Sequence, residues 1–366
     1  MKILHVVGAR PNFMKAAPVH RALASRPAIR QIVVHTGQHY DFNMSEVFFQ
    51  ELGIPAPDVN LQVGSGSHAQ QTAEIVKRFE DVIIGERPDL VLVYGDVNST
   101  LAAALVCSKL GFRVGHVEAG LRSFDRTMPE EINRLLTDQI SDLLFTPSED
   151  GNHNLSREGI AGEKVHLVGN VMIDTLVRML PKARAAVPAE LPEKFALVTL
   201  HRPSNVDDRN WLRELMQVFH AVKNEIAVLF PVHPRTRNHL AALGICANGD
   251  TRLQLQKPLP YLEFLGLQTR ATVVITDSGG IQEETTYLGV PCLTVRENTE
   301  RPITVKLGTN TLIGRDLNRL RSELRAIIEG RQKQGSIPGL WDGAAAERIA
   351  DVICKTSAPL SYEAAR

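Results

Sequence analysis

The sequence predicts an α/β protein built from two doubly wound, Rossmann-like domains that face a cleft. Short apolar runs alternate with longer segments of helical period, which is typical of βαβ units around a parallel sheet. This alternation occurs twice, before and after a stretch rich in Pro, Ala and Glu at residues 181–192. The chain has 366 residues, and at roughly 100–200 residues per domain this length also predicts two domains.

The first half of the chain contains the apolar runs of one parallel sheet. The predicted strands cover residues 3–7, 31–35, 90–94, 113–117, 142–145 and 165–168. Between two of them, residues 70–84 form an amphipathic helix whose apolar face carries Ile75, Phe79, Val82 and Ile83. Another helix opens at residue 129, where a proline and two glutamates occupy its first turn.

The second half repeats the pattern. Its predicted strands cover residues 196–200, 227–231, 272–276 and 292–295, with helices at 210–223 and 280–288 between them. Residues 342–354 form a closing helix. We therefore expect an N-terminal domain at 1–169 and a C-terminal domain at 170–354, with ligands at the carboxyl ends of the strands.

Composition and charge exclude several classes of protein. There are 41 Lys and Arg against 41 Asp and Glu, so the net charge is zero, and neither a nucleic acid nor an anionic membrane is an expected partner. The four cysteines form no CxxC pair, which argues against a disulfide framework and a cysteine zinc site. No apolar stretch approaches the ~20 residues that cross a bilayer, and no signal peptide is evident. We expect a soluble cytoplasmic protein.

Three carboxylates follow or flank neighbouring strands of the first domain. Asp96 follows strand 90–94, Glu118 follows strand 113–117, and Glu130 opens the next helix. Residues of these types also cap helices, but a structural role seldom needs three carboxylates at one sheet edge. Like-charge repulsion there can raise the pKa of one member and prepare it for acid–base work. No HExxH motif occurs, and the HxE at residue 116 lacks a following PCxxC, so we expect no metal.

In the second domain, a strand runs into Ser278, Gly279 and Gly280 and then into a helix. Backbone N–H groups and the positive end of the helix dipole can receive a phosphate there. Glu284, one turn later, is placed to accept hydrogen bonds from ribose hydroxyls, and Arg301 adds a nearby cation. The histidines at 201 and 233 follow two successive predicted strands. A lone histidine at such a position is more often structural than catalytic, but two in successive strands leave both roles open.

The turn after the first strand reads Gly8-Ala9-Arg10-Pro11. It matches neither the GxGxxG dinucleotide fingerprint nor the phosphate-binding GxxxxGK[ST] motif. We therefore expect no NAD and no other cofactor. Arg10 and Lys15 still place two cations at the mouth of the predicted cleft.

Together these segments resemble the non-hydrolysing UDP-N-acetylglucosamine 2-epimerases of bacteria and archaea. Six stretches carry the resemblance, in the order that the family has them: residues 8–11, 95–100, 117–122, 129–134, 276–284 and 299–302. The resemblance implies a glycosyltransferase B-type fold, a homodimer, and a last helix (about 355–366) that packs back on the first domain.

The resemblance also implies roles for individual residues. The acid–base carboxylates correspond to Asp96, Glu118 and Glu130, and His201 lies beside the departing diphosphate. The residues that bind UDP correspond to Arg10, Lys15, His201, Phe264, Ser278, Gly279, Gly280, Glu284 and Arg301.

The chemistry of the reaction independently supports this interpretation as a 2-epimerase. The hydrogen on carbon 2 of an N-acetylhexosamine has no adjacent carbonyl, so simple deprotonation faces a prohibitive barrier. Without an NAD site for transient oxidation, the remaining route eliminates the diphosphate across carbons 1 and 2 to give a 2-acetamidoglucal. Re-addition with inversion at carbon 2 then yields the epimer, by way of a base and a cationic site for the diphosphate.

Three alternatives are weighed against this interpretation on sequence grounds. One is a 2-epimerase of a related UDP-2,3-diacetamido sugar or uronic acid, which the residues at 40–45 also resemble; Glu300-Arg301-Pro302 favours the plain N-acetylglucosamine substrate. Another is a UDP-sugar glycosyltransferase, which shares the fold but does not need the carboxylates. A hydrolysing epimerase usually carries a fused kinase, for which 366 residues leave no room.

Overall fold

The computed structural model describes residues 1–38, 51–245 and 249–356. The 40–45 stretch that resembles diacetamido-sugar epimerases lies outside these residues, as does nearly all of the helix predicted at about 355–366. The side chain of Arg10 is also outside the described part. The chain forms two compact units, which are Met1–Thr175 with Gly339–Arg366 (unit 1) and Leu176–Pro338 (unit 2).

Unit 1 contains a parallel sheet of seven strands within the described residues, in the order β3-β2-β1-β4-β5-β6-β7. The winding reverses between β1 and β4, because β1 pairs with both β2 and β4. Such a switch point leaves a crevice at the carboxyl ends of the two central strands. The strands are β1 (Lys2–Val7), β2 (Arg30–His35), β3 (Val59–Asn60), β4 (Leu90–Tyr94), β5 (Val114–Val117), β6 (Leu143–Thr146) and β7 (Val165–Leu167).

Helices connect these strands. The helix predicted at 70–84 is present as α2, where Ser67 and Gln70 cap each other reciprocally and Ile75, Phe79 and Ile83 are buried. The other helices of the unit 1 region are α1 (Arg10–Ala24), α3 (Asn98–Leu110), α4 (Pro129–Ile140), α5 (Glu149–Arg157) and α6 (Val171–Ala185), and α2 spans His68–Glu86.

The closing helix, α14 (Ala345–Lys355), belongs to unit 1 and packs against α1. Asp174 holds its first turn by accepting hydrogen bonds from the N–H groups of Ala345 (3.1 Å) and Ala346 (2.7 Å). The indole of Trp341, just before the helix, is buried and donates to the carbonyl of Pro147 (2.9 Å).

These contacts shift the boundaries of the two units from those expected from the sequence. The structure divides the chain after Thr175 rather than after residue 169, because the first turn of α6 still packs on unit 1 and Thr175 donates to the carbonyl of Met14 (2.6 Å). Unit 2 ends at Pro338 rather than at residue 354, because the segment carrying Trp341 and α14 returns to unit 1.

Unit 2 contains a parallel sheet of six strands among the residues described, in the order β10-β9-β8-β11-β12-β13. Its winding reverses between β8 and β11, so the loops after these two strands flank a second switch point. The strands are β8 (Phe195–Thr199), β9 (Ala227–Pro231), β10 (Leu253–Gln256), β11 (Val273–Thr276), β12 (Cys292–Thr294) and β13 (Asn310–Leu312).

Apolar residues pack on both faces of this sheet. A large cluster that includes Trp211, Phe219 and Phe230 covers one face, and a smaller one around Phe195 and Val274 covers the other. The intervening helices are α7 (Pro203–Val206), α8 (Arg209–Val222), α9 (Pro234–Ala242), α10 (Tyr261–Gln268), α11 (Gly279–Leu288), α12 (Pro302–Lys306) and α13 (Leu317–Ile328). Over the described ranges, every helix is too short or too polar to cross a bilayer.

Candidate active site

Asp96 lies directly after β4, at the switch point of unit 1. The chain turns at Gly95, whose φ of 62° is in the left-handed region that glycine adopts without strain. Two residues of α4 then hold Asp96. Asn133 donates to its backbone carbonyl (2.9 Å), and Nη1 of Arg134 lies 3.4 Å from its Oδ2. The carboxylate is therefore anchored from one side while 27% of the side chain stays exposed.

Glu118 follows β5 and is almost completely buried. Its carboxylate forms an ion pair with the ammonium of Lys15, which is buried too. Its φ of 75° is unusual for a residue with a side chain, and such strain costs of order 1–3 kcal/mol. The carbonyl of Phe145 fixes this turn by accepting from the N–H groups of Glu118 (3.1 Å) and Ala119 (3.0 Å).

Gly95 provides the space that the ion pair occupies. A Cβ at this position would collide with Nζ of Lys15 and lie 3.2 Å from Oε2 of Glu118. The pair therefore packs directly against the backbone that carries Asp96, which places the loops after β4 and β5 side by side.

Glu130 and Glu131 open α4 but face different surroundings. Glu130 is half-buried and, with Asp96, lines a pocket of about 350 Å³ in unit 1 to which His68 and Gln71 also contribute. Glu131 is buried and accepts hydrogen bonds from the N–H of Ser123 (3.0 Å) and the N–H of Phe124 (2.8 Å). Glu130 is thus available to a ligand, whereas Glu131 shapes the preceding loop.

A buried polar network ties the loops after β4 and β5 together. Nδ1 of His116 lies 2.6 Å from Oδ1 of Asp138, and its Nε2 lies 2.8 Å from the carbonyl of Gly95. The other carboxylate oxygen of Asp138 contacts Arg122 (2.7 Å) and the N–H of Gly120 (3.1 Å). Burial opposes ionisation of Asp138, but His116 and Arg122 outweigh it and lower the pKa of this carboxyl. The sequence offered only the HxE pattern at His116 and no indication of this structural role.

In unit 2, Ser278 is the N-cap residue of α11, and Gly279 and Gly280 form its first turn. Arg301 lies against this turn, since a Cβ on Gly279 would come within 2.5 Å of Nη1 and 2.9 Å of Cζ. Glu283 (2.8 Å to Nε) and Glu300 (3.4 Å to Nη1) hold the guanidinium in place. A helix N-terminus beside an arginine favours an anionic group such as phosphate.

Glu284 is buried one turn further along α11. Its oxygens accept hydrogen bonds from the hydroxyl of Tyr261 (3.0 Å) and Nε2 of Gln268 (2.6 Å), both on α10. Phe264, on the same helix, is half-buried and packs with Leu259 against the smaller apolar cluster. Tyr261 and Gln268 carry no motif, so sequence reasoning had no signal by which to identify them.

His201 follows β8 on the other side of the switch point of unit 2. Its side chain is 59% exposed, while Nδ1 lies 2.8 Å from Oδ1 of Asp277, which is fully buried. Burial opposes the ionised form of Asp277, but His201, Asn205 and the N–H of Arg202 outweigh this effect and lower the pKa of the carboxyl. Asp277 is part of a motif noted in the sequence, yet it was not predicted as a functional residue.

His233, the second histidine that follows a predicted strand, caps a helix instead. His233 is the N-cap residue of α9, where its Nδ1 accepts from the N–H of Arg235 (3.3 Å). Arg296 is buried and forms an ion pair with Glu300 (2.7 Å). Both therefore have local structural roles.

The structure thus places the predicted residues in two groups. In unit 1, Asp96 and Glu130 share a pocket, and Glu118 pairs with Lys15 beside the loop of Asp96. In unit 2, the predicted residues follow β8 and β11 or belong to α10, α11 and the residue preceding α12. Their functional roles stay predictions.

Comparison with known proteins identifies the family. The family model for UDP-N-acetylglucosamine 2-epimerase matches residues 21–354. A UDP-N-acetylglucosamine 2-epimerase homolog of Methanococcus maripaludis is 48% identical over 323 residues, covering 86% of this chain and 89% of the relative. The UDP-2,3-diacetamido-2,3-dideoxy-D-glucuronate 2-epimerase of Pseudomonas aeruginosa is 42% identical, covering 97% of this chain and 100% of the relative.

A solved structure agrees with the two-unit α/β fold. The UDP-GlcNAc 2-epimerase of Methanocaldococcus jannaschii, crystallised with UDP-GlcNAc and UDP, has a TM-score of 0.85 at 39% identity, covering 97% of this chain and 100% of that one. This likeness confirms the fold class expected from the sequence. The chain belongs to the UDP-N-acetylglucosamine 2-epimerase family of isomerases.

Proposed function

We propose that the protein reversibly epimerises carbon 2 of UDP-N-acetylglucosamine to give UDP-N-acetylmannosamine, through elimination and re-addition of UDP. The observation that carries this proposal is the arrangement of the three carboxylates. Asp96 and Glu130 line one pocket, and Glu118 lies beside the backbone that carries Asp96. Binding of a nucleotide alone would not call for such a cluster.

The reaction is balanced without an external oxidant. A carboxylate removes the proton from carbon 2, the C1–O bond breaks, and the electron pair of the former C–H bond forms the C1–C2 double bond of 2-acetamidoglucal. UDP leaves with the electrons of the C1–O bond. In the second half, UDP adds back to carbon 1 while a second carboxyl group delivers a proton to the opposite face of carbon 2.

Unit 1 supplies the proton-transfer groups in this proposal. Asp96, Glu118 and Glu130 act as base and acid, since positioned carboxyl groups typically contribute about 10²–10⁴-fold to proton transfer. Lys15 has the additional task of fixing Glu118, because its ammonium is already paired with that carboxylate.

Unit 2 supplies the nucleotide site. The first turn of α11 and Arg301 bind the diphosphate and stabilise the charge that develops on it as the C1–O bond breaks. His201 stabilises or protonates the departing phosphate. Phe264 packs near the uracil ring, and Glu284 accepts hydrogen bonds from the ribose hydroxyls. We also propose that the enzyme works as a homodimer, without a metal or another cofactor.

A second candidate substrate is supported by one comparison. The relative from Pseudomonas aeruginosa bears the name of a UDP-2,3-diacetamido-2,3-dideoxy-D-glucuronate 2-epimerase and matches nearly the whole chain. Since the elimination at carbons 1 and 2 is the same for both sugars, the carboxylates do not distinguish them. Separate incubation with each nucleotide sugar compares their kcat/KM values directly.

Incubation with UDP-N-acetylglucosamine in heavy water, followed by proton NMR, tests the proposal. We expect the signals of UDP-N-acetylmannosamine to grow, deuterium to enter carbon 2 of both epimers, and small amounts of 2-acetamidoglucal and UDP to be released. Interconversion with retention of the original hydrogen would exclude the elimination route. Complete absence of the second epimer, with a protein that binds UDP, would exclude this substrate.

A further inference from the structure

The carboxylate of Asp277 has two sides with different partners. Oδ2 faces three N–H donors, which are the backbone N–H of His201 (3.1 Å), the backbone N–H of Arg202 (2.9 Å) and Nδ2 of Asn205 (3.0 Å). Oδ1 lies 2.8 Å from Nδ1 of His201 and 3.2 Å from the backbone N–H of the same residue. The carboxylate is therefore locked by donors and has its Oδ1 directed at the imidazole.

This geometry fixes which imidazole nitrogen carries hydrogen. An ionised carboxylate can only accept, so a hydrogen bond to Oδ1 requires a hydrogen on Nδ1 of His201. The backbone donors on Oδ2 prevent Asp277 from rotating away. Nε2, on the other side of the ring, belongs to a side chain that is 59% exposed, so it is this nitrogen that a ligand can reach.

We infer that Asp277 is a positioning residue that holds His201 in the Nδ1–H tautomer and thereby enables Nε2 to exchange a proton with the departing phosphate. The catalytic part of this inference rests on the proposed function, whereas the tautomer does not. When the imidazolium form transfers its proton, the Nε2–H bond breaks and an O–H bond forms on the phosphate. The neutral imidazole that remains is the tautomer that Asp277 stabilises, and it takes the proton back when UDP adds again.

Replacement of Asp277 by Asn should favour the opposite tautomer of His201. Three donors surround the Oδ2 position, so the amide oxygen must occupy that position and the amide NH₂ must face His201. The NH₂ group can only donate, so Nδ1 of His201 becomes an acceptor and the hydrogen moves to Nε2. Proton transfer from Nε2 of this neutral ring would leave an imidazole anion, which is unfavourable.

NMR of ¹⁵N-histidine-labelled protein tests the tautomer directly. A His201→Gln variant identifies the signals of His201 by their loss. For the neutral ring of the wild type we expect protonated Nδ1 and unprotonated Nε2, and for Asp277→Asn we expect the reverse. A wild-type ring with hydrogen on Nε2 would overturn the inference, and so would an Asp277→Asn variant whose His201 keeps the wild-type pattern.

A matched control is Asp250→Asn. Asp250 also lies in unit 2 and also accepts from backbone N–H groups, those of Arg252 (2.9 Å) and Leu253 (3.2 Å). It precedes strand β10, however, and so lies at the amino-terminal end of the strands, whereas Asp277 follows the carboxyl end of β11. This variant should leave both the tautomer of His201 and the turnover unchanged. Melting temperatures of the two variants show whether the Asp277 variant folds. If it does not fold, the wild-type spectrum alone decides the question.

Kinetics separate the failure of this inference from the failure of the proposed function. With UDP-N-acetylglucosamine we expect Asp277→Asn to lower kcat by about 100-fold or more, and to change the Kd for UDP by less than about threefold. The corresponding change at a histidine-orienting aspartate in serine proteases lowers kcat by about 10⁴-fold through the wrong tautomer. A switched tautomer with wild-type kcat would overturn the catalytic role. A wild-type protein with the Nδ1–H tautomer and no epimerase activity would instead overturn the proposed function alone.

Discussion

Lys15 and Glu118 form an ion pair in the interior of unit 1, where only 6% and 3% of their side chains are exposed. Gly95 leaves the space for this pair. Removal of two charges from water is costly, and their attraction offsets the cost only while both partners are present. The pair therefore makes the position of a predicted catalytic carboxylate depend on a lysine that the sequence assigned to nucleotide binding.

Replacement of Lys15 by Met should reduce the stability of the protein. It removes the buried ammonium that is paired with the Glu118 carboxylate, and breaking a buried pair typically lowers the free energy of unfolding by about 3–5 kcal/mol. Urea denaturation at pH 7.5 measures the change. The exposed Lys77→Met is the control, for which a change within about 0.5 kcal/mol is expected. A loss below about 1 kcal/mol for Lys15→Met would show that the pair is energetically unimportant.

Glu130→Gln should lower turnover and Glu131→Gln should lower stability, although the two residues are adjacent. Glu130 lines the pocket and we expect its variant to keep its melting temperature while turnover falls by about 100-fold or more. Glu131 holds the loop at Ser123 and Phe124 through both of its carboxylate oxygens. In its variant an amide NH₂ replaces one of these acceptors, so a buried N–H loses its partner and we expect a loss of stability of about 1–3 kcal/mol. Thermal melts and initial rates on the same preparations provide both readouts. Wild-type turnover in Glu130→Gln would reduce Glu130 to a helix-capping residue.

The sequence was sufficient to predict the edge of each sheet at which polar residues gather. Asp96, Glu118 and His201 each follow a strand, and in a parallel sheet all strands present their carboxyl ends at one edge. The short edge strands β3, β10 and β13 were not predicted, because they have two to four residues each and their burial is incomplete.

Partners distant in sequence could not be predicted in the same way. Asp138 is 22 residues from His116, and Asp277 is 76 residues from His201. Their pairing depends on how the strands are ordered in the sheet, which a local pattern does not contain. For the same reason the return of the chain to the first domain was expected only at about residue 355, whereas it begins at Gly339, where Trp341 and Asp174 anchor the start of α14.

Replacement of Gly279 by Ala should weaken the binding of UDP, if unit 2 holds the diphosphate as we propose. The added methyl group would lie 2.5 Å from Nη1 of Arg301, which must then leave the start of α11. Loss of a hydrogen bond to a charged group costs about 1.5–3 kcal/mol, so the Kd should rise about 10-fold or more. Titration calorimetry with UDP measures the change. The control is Gly85→Ala in α2, where a methyl group would meet no atom within 4 Å, and an unchanged Kd in both variants would contradict the assignment of the diphosphate site.

The buried His5 should make the stability of the protein depend on pH. The ring is buried, with Nδ1 2.6 Å from the hydroxyl of Tyr94 and Nε2 2.9 Å from Oε1 of Gln31. Burial, and to a lesser extent the charge of His20, lowers the pKa of His5 from 6.5 to about 3. Below pH 6.5 the unfolded chain therefore binds a proton that the folded chain refuses. Since stability rises with pH wherever the unfolded state binds more protons, it must fall as the pH decreases from 6.5 towards 3.

Urea denaturation of the wild type and of a His5 variant between pH 7.0 and 5.5 isolates this effect, because His20, His35 and His166, whose pKa burial also lowers, are present in both proteins. The carboxyl groups with lowered pKa, Asp138 and Asp277, are ionised in both states over this window, because ordinary aspartate titrates near 3.9. The contribution of His5 should amount to about 1 kcal/mol over this interval. We therefore expect His5→Gln to be less stable at pH 7.0 but to have a shallower dependence on pH by that amount. The exposed His153→Gln should keep the wild-type slope, and an identical slope in all three proteins would show that His5 is not held neutral in the folded state.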